Sequence, residues 1–342
     1  MRVGIIGAGG WGTALAVLMA EEGYVVDLWA REQEVTDEIT ICRTNNTFLE
    51  GISIPENVGA TCNMEEVIER NRFLLMPVPA QHMRSVIRKA RPFLTKKHVL
   101  IHAAKGIEEG TLMRMSEVIT QELPGELANN IGVISGPSHA EEVARKVPTA
   151  IVAASCHEPV AKRAQEMLMC STLRVYTSGD IIGVELGGAL KNVIALGTGV
   201  SDGLGFGDNT RAALMTRGIA EMVRLGTALG ANPMTFAGLS GMGDVIVTCM
   251  SMYSRNRRAG MEIAHGKSVT GVIGSTSMVV EGISTTGAAV ALSENCDVEM
   301  PIASKLHSVL FSGLDPRKAV EDLMLRMPVP ETRLKFENTT EQ

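Results

Sequence analysis

Short apolar runs and longer helical repeats alternate along the first half of the chain. Val3, Ile5 and Ile6 lie in a run over 2 to 6 that predicts a strand buried on both faces. Ala14, Leu15, Leu18 and Met19 then recur at helical spacing, predicting a helix over 11 to 22 that ends at Glu21-Glu22-Gly23. A strand over 25 to 29, a helix near 32 to 41 and a polar, glycine-containing loop from Thr44 to Asn57 follow. Further strands are expected at Phe73 to Met76, Val99 to Ala103, Ile131 to Ser135, Ala150 to Ala154 and Leu173 to Tyr176, with helical segments between them. From about Asp180 the strand-like runs give way to long helical patterns such as Gly183 to Val200 and Thr210 to Leu229. The alternation predicts an α/β fold with a doubly wound, mainly parallel sheet over residues 1 to 180, followed by an all-α C-terminal domain over 181 to 342. The polar, proline-bearing tail after Pro328 reads as loosely held.

Val3 to Ala20 carries no charge and follows Met1-Arg2, which imitates a signal peptide or a membrane span. Gly4, Gly7, Gly9, Gly10 and Gly12 would interrupt such a helix, and no other stretch reads as the ~20 apolar residues a span requires. A length of 342 residues with 45% hydrophobic and 20% charged residues favours two domains with large cores. The net charge of -6 argues against nucleic acid or an anionic membrane as the main partner, while leaving room for local basic pockets. The six cysteines, Cys42, Cys62, Cys156, Cys170, Cys249 and Cys296, are scattered with no CxxC, so neither a zinc site nor a disulfide framework is expected and a cytoplasmic location fits. His98 and His102 stand four apart in HVLIH, but on a strand that spacing separates them by roughly 13 Å and they do not chelate one metal.

The apolar run over 2 to 6 leads directly into Gly7, Gly9 and Gly12. After a strand and before a helix this GxGxxG spacing is the dinucleotide fingerprint. Gly7 permits the tight turn, Gly9 lets backbone approach a pyrophosphate, Gly12 lets the helix pack on the sheet, and the helix N-terminus faces the phosphates. The domain is therefore expected to be Rossmann-like and to bind NADP or NAD. Asp27 lies at the distance from Gly7 at which an acidic residue usually binds the ribose hydroxyls. The strand reads as continuing through Leu28 and Trp29 to Ala30-Arg31, which would put Arg31 at the ribose-facing end beside a 2'-phosphate and leave Asp27 a mid-strand structural residue; this reading slightly favours NADP.

Pro77-Val78-Pro79, Ala104-Lys105-Gly106 and Gly136-Pro137-Ser138-His139 stand at the C-terminal ends of later strands, where an open α/β sheet places ligands. The first reads as turn chemistry, whereas Lys105 puts a cation into the crevice. Ser138 is either a ligand contact or a helix N-cap with Glu141 as its capping-box partner. Lys191 is the only charge in the helical run from Leu186 to Leu196; it is either a desolvated lysine with a lowered pKa, suited to accepting a proton, or a snorkelling lysine on a helix edge. Asp244 and Thr248 share one face if a helix starts after Gly241-Met242-Gly243, with Asp244 as an N-cap the plainer alternative. Ser254-Arg255-Asn256-Arg257-Arg258 offers the charge-assisted and neutral donors of an oxyanion pocket, or a solvated basic face.

Together these blocks resemble the NAD(P)-dependent glycerol-3-phosphate dehydrogenases of the bacterial soluble type. GAGGWGTALA, AAKGIE, GPSHAEEV, VELGGALKNVIALGTGVSDGLGFGDNTRAAL, GLSGMGDVIVTC, YSRN and VVEG occur in the family's order over nearly the whole chain. The resemblance implies hydride transfer between sn-glycerol 3-phosphate and dihydroxyacetone phosphate, supplying glycerophospholipid synthesis, in a homodimer with a small phosphorylated substrate and no metal. It gives Lys191 the general-base place and Lys105 a substrate-binding place. Gly136, Ser138, Asp244, Ser254, Arg255 and Asn256 match substrate contacts. Gly10, Trp11, Arg31, Ala140, Arg255, Val279 and Glu281 match cofactor positions, and Lys105 joins them. Thr248 and Asn192 are expected to orient the lysine and the substrate hydroxyls. Gly10 stands where a serine is common, and Ala80 where the family often has serine. Two alternatives stand beside this reading: a 6-phosphogluconate or β-hydroxyacid dehydrogenase, which shares a lysine-asparagine pair, and a non-catalytic NAD-sensing protein, which needs the glycines but not Lys105, Lys191 and Asp244.

Overall fold

A computed structural model describes residues 1–123, 125–276 and 278–331; most of the tail after Pro328 lies outside them. The strands are β1 (Arg2–Ile6), β2 (Val25–Trp29), β3 (Val58–Thr61), β4 (Phe73–Met76), β5 (Val99–His102), β6 (Ile131–Ser135), β7 (Thr149–Ala154) and β8 (Leu173–Ser178). The helices α1 (Gly10–Glu21), α2 (Gln33–Asp37), α3 (Met64–Arg70), α4 (Met83–Ala90), α5 (Met115–Glu122), α6 (Gly125–Ala128), α7 (Ala140–Ala144) and α8 (Glu158–Leu168) connect them. After β8 the described chain is helical: α9 (Ile181–Gly203), α10 (Asp208–Ala228), α11 (Asp244–Met250), α12 (Arg255–Ala264), α13 (Val269–Gly274), α14 (Glu281–Asn295), α15 (Pro301–Phe311) and α16 (Pro316–Met324).

The strands form one sheet in the order β3-β2-β1-β4-β5-β6-β7-β8. All neighbours are parallel except β6 and β7, which run antiparallel. The mainly parallel, Rossmann-like sheet followed by helices is the expected architecture. The chain order reverses between β1 and β4, and such a switch point opens a crevice at the C-terminal strand ends. Gly7, at φ +124°, turns the chain out of β1 there, close enough to Pro77 after β4 that a side chain would meet its carbonyl at 3.2 Å.

Three expectations change. β3 was not foreseen, because Val-Gly-Ala-Thr is short and weakly apolar and becomes a strand only through pairing with β2. The predicted strand to Arg31 ends at Trp29, and the helix near 32 to 41 is α2 followed by one wider turn over Glu38–Cys42. By length and hydropathy α9 matches a membrane span, with a mean hydropathy of 1.3 over its most apolar stretch, contrary to the expectation that no segment after Ala20 does; 89% of that stretch is buried inside the protein.

Burial of α9 follows from its glycines. A Cβ on Gly199 would lie 2.0 Å from the Arg257 carbonyl oxygen, one on Gly188 2.7 Å from Ser135 Oγ, and one on Gly260 of α12 2.1 Å from the Leu196 carbonyl oxygen. Backbone meets backbone where α12 crosses α9, and Gly188 lets α9 close on the Ser135 side chain of β6. Separate apolar cores lie on the two sides, one around β1, β2 and α1 and one around α9, with Leu190, Leu196 and Phe236 in the second.

Candidate active site

Lys105, three residues beyond β5, and Lys191, midway along α9, reach the same carboxylate. Lys105 Nζ donates to Asp244 Oδ2 at 2.6 Å and to the Gly136 carbonyl at 2.8 Å. Lys191 Nζ donates to Asp244 Oδ1 and to Thr248 Oγ1, each at 2.7 Å. Asp244 and Thr248 share one face of α11, and Thr248 Oγ1 donates to the Asp244 carbonyl at 2.6 Å. Asp244 is therefore not an N-cap, which falls on Gly243; its side chain neutralises two cations instead. Truncating one partner of such a buried set leaves uncompensated charge at a cost of about 3–5 kcal/mol.

Lys191 is buried, so the snorkelling alternative falls. Burial lowers its pKa to about 8, with the Asp244 carboxylate opposing and the Lys105 charge assisting. Asp244, held between the two lysines, stays below the usual carboxylate range despite its burial.

Two asparagines carry this cluster across the cleft. Asn192 Nδ2 donates to the Lys105 carbonyl at 2.8 Å, and its Oδ1 accepts from Asn256 Nδ2 at 2.8 Å. Asn256 Oδ1 in turn accepts the Gly282 amide at 2.9 Å. Ser254 caps α12 by accepting from the Arg257 amide, which aims the first turn of that helix at the cleft. Arg255 Nη1 donates to the Val279 carbonyl at 2.9 Å. Arg257 is bound to Asp202 at 2.7 Å and is structural, whereas Arg255 lines the pocket. Glu281 Oε1 accepts the Ala80 amide at 3.0 Å, while Oε2 is buried with no partner among the described residues; burial raises its pKa.

One pocket spans the two walls. Gly7, Gly9, Gly10, Trp11 and Arg31 line it from the strand side, with Lys105, Ser138 and Ala140. Lys191, Asn192, Thr248, Ser254, Arg255, Asn256, Val279 and Glu281 line it from the helical side. Gly12, Gly136 and Asp244 lie just behind it: a Cβ on Gly12 would be 1.8 Å from the Gly7 carbonyl oxygen, Gly136 holds Lys105, and Asp244 is 1% exposed beneath both lysines.

The glycine turn suits a dinucleotide on structural grounds. A Cβ on Gly9 would meet nothing within 4 Å, so backbone at that point borders open pocket at the start of α1. The glycine at position 10 has its own reason, since a Cβ there would lie 2.7 Å from the Phe48 carbonyl oxygen of the loop between β2 and β3. Of the two residues considered for the ribose, Asp27 already has partners within the protein. It accepts from Arg2 Nη2 at 2.8 Å and from Asn71 Nδ2 at 2.8 Å, inside the sheet. Arg31 is mostly exposed at the pocket edge and paired with Glu32. Ser138 is not an N-cap: α7 starts one residue later, after His139, and Ser138 Oγ donates to the Gly136 carbonyl at 3.0 Å.

The NAD-dependent glycerol-3-phosphate dehydrogenase family matches the chain twice, its N-terminal model over residues 2–161 and its C-terminal model over 180–321. The chain belongs to that family. Its chemistry is NAD(P)-linked oxidoreduction at a CH–OH group. A glycerol-3-phosphate dehydrogenase [NAD(P)+] of Pelotomaculum thermopropionicum is 51% identical over 95% of this chain and 93% of its own length. The crystal structure of the Coxiella burnetii glycerol-3-phosphate dehydrogenase superposes with a TM-score of 0.90 at 38% identity, covering 95% of this chain and 99% of that one. A PanE/ApbA family ketopantoate reductase from Ralstonia eutropha covers 94% of this chain at a TM-score of 0.61 and 15% identity, so the hydroxyacid-reductase alternative shares the fold alone.

In this dehydrogenase family member, Phe48, His139 and Tyr253 are among the pocket residues that the sequence did not single out. Phe48 is the only aromatic in a polar loop, a signal that was available. His139 and Tyr253 lie in the GPSHAEEV and YSRN blocks, but only the packing of the helices against the strand ends brings their rings together.

Proposed function

We propose that this chain interconverts sn-glycerol 3-phosphate and dihydroxyacetone phosphate with NADP or NAD, in the crevice between a dinucleotide-binding part over residues 1 to 180 and a substrate-binding part over 181 to 342. The observation that carries this reading is Asp244 bridging Lys105 and Lys191 on the floor of a pocket whose other wall is the glycine turn.

Gly7, Gly9, Gly10 and the start of α1 hold the dinucleotide, with Trp11, Arg31, Lys105, Ala140, Arg255, Val279 and Glu281 along its length. When bound it supplies or takes the hydride at the substrate's alcohol carbon. Lys191 Nζ, protonated below about pH 8, donates to the carbonyl oxygen in reduction and, when neutral, accepts the hydroxyl proton in oxidation. Lys105 offers positive charge as that oxygen becomes anionic. Asp244, Thr248 and Asn192 fix both lysines, and Gly136 and Ser138 border the substrate. Ser254, Arg255 and Asn256 anchor the phosphate away from the reacting carbon, so that remote binding orients the alcohol. The family further suggests a homodimer in the cytoplasm that supplies glycerol 3-phosphate for glycerophospholipids.

Consumption of NADH and NADPH with dihydroxyacetone phosphate, against carboxylate-bearing ketones, tests the reading. Rapid turnover of the phosphoester alone is expected; preferential reduction of a keto acid would overturn it.

A further inference from the structure

His139 and Tyr253 face each other across the pocket from opposite halves of the chain. His139 follows β6 and Tyr253 precedes α12; their ring centroids are 5.9 Å apart with the planes inclined by 55°, a tilted aromatic contact. Both line the pocket. His139 Nε2 is buried and has no hydrogen-bond partner among the described residues. Buried polar atoms are paired as a rule, so an orphaned ring nitrogen on a ligand pocket marks a place where the ligand brings the partner.

The position narrows which part of the ligand that is. The charges acting on the imidazole are Lys191, Lys105, Glu141 and Asp244, three of them the reacting cluster. Its ring neighbour Tyr253 directly precedes Ser254-Arg255-Asn256. His139 thus shares the pocket with the proton-transfer lysines and, through its Tyr253 contact, adjoins the segment given the phosphate. Burial, with the two lysine charges, lowers its pKa and keeps the ring neutral, which leaves one ring nitrogen a donor.

We propose that His139 is a substrate-binding residue that donates from Nε2 to the phosphate of the bound phosphoester, with the Tyr253 ring holding the imidazole in place. The inference rests on the phosphate location proposed above. It adds a neutral donor to the anchoring set and makes substrate affinity depend on a contact between the two halves of the chain.

His139→Phe keeps a ring against Tyr253 and removes the donor, while His139→Gln returns an amide donor near the Nε2 position. In the phenylalanine variant the KM for dihydroxyacetone phosphate should rise about tenfold, the worth of one hydrogen bond to a charged group. The KM for NADPH should stay within about twofold, and the glutamine variant should recover most of the loss. Tyr253→Ala, which truncates a 46% exposed ring, should raise the same KM by a smaller factor and provides the reading if the phenylalanine variant melts early. An unchanged substrate KM in these variants overturns the inference, as does a rise confined to the KM for NADPH, which would assign the nitrogen to the dinucleotide. Wild-type turnover of dihydroxyacetone phosphate separates this failure from failure of the underlying function.

Discussion

The two walls of the crevice are built in opposite ways. The glycine turn lies within six residues of one wall: Gly7 turns, Gly9 opens onto the pocket, and Gly12 lies against the Gly7 carbonyl. The lysine cluster joins Lys105 and Gly136 from the strand side to Lys191, Asp244 and Asn256 from the helices, through bonds of 2.6 to 2.8 Å centred on Asp244, Lys105 and Asn192. A local wall is specified by backbone sterics. A distributed wall exists only once the helices have packed, and its electrostatics depend on every member.

The largest expected effect tests the distributed wall. Lys191→Ala should lower kcat by about 10²–10⁴, the usual worth of a positioned general acid or base, with little change in cofactor affinity. Near-normal turnover would remove Lys191 from proton transfer. The same group fixes the pH dependence in the wild type. Reduction needs protonated Lys191, so its rate should fall as pH rises through about 8, while oxidation, which needs the neutral amine, should rise over the same range. Opposite limbs in the two directions, both lost in Lys191→Ala, would be seen in initial-rate profiles.

Two alanine variants of the local wall should separate its two tasks. Gly12→Ala drives a methyl into the Gly7 carbonyl, so stability should fall by about 1–3 kcal/mol in urea unfolding and dinucleotide binding with it. Gly9→Ala meets no protein atom, so the melting temperature should hold while cofactor affinity falls. Equal stabilities for the two would contradict this division.

The smallest effect concerns the pocket edge. Arg31 is exposed and paired with Glu32, and Arg31→Asp should raise the KM for NADPH about tenfold while leaving that for NADH nearly unchanged. An unchanged preference would take Arg31 out of 2'-phosphate recognition.

Strand periodicity, the glycine spacing and the lone charge inside the apolar run around Lys191 made the architecture and half the site legible in the chain. Elements whose state is set by a partner were not legible. β3 is a strand because β2 is beside it. The partners of Asp27 were not legible either, since Arg2 and Asn71 close on it from separate segments. The cap considered at Ser138 falls one residue later, on His139, a shift that spacing alone does not resolve.

By itself the sequence determined what local sterics and periodicity enforce: a dinucleotide turn after the first strand, an alternating sheet, then helices with small residues at their crossings. Only the tertiary structure decided what buries α9, that Asp244 is a shared counter-ion rather than a cap, and that His139 meets Tyr253 over the pocket. Burial and charge pairing are properties of a site in space. Residues far apart in the chain acquire them only when close backbone packing brings them together.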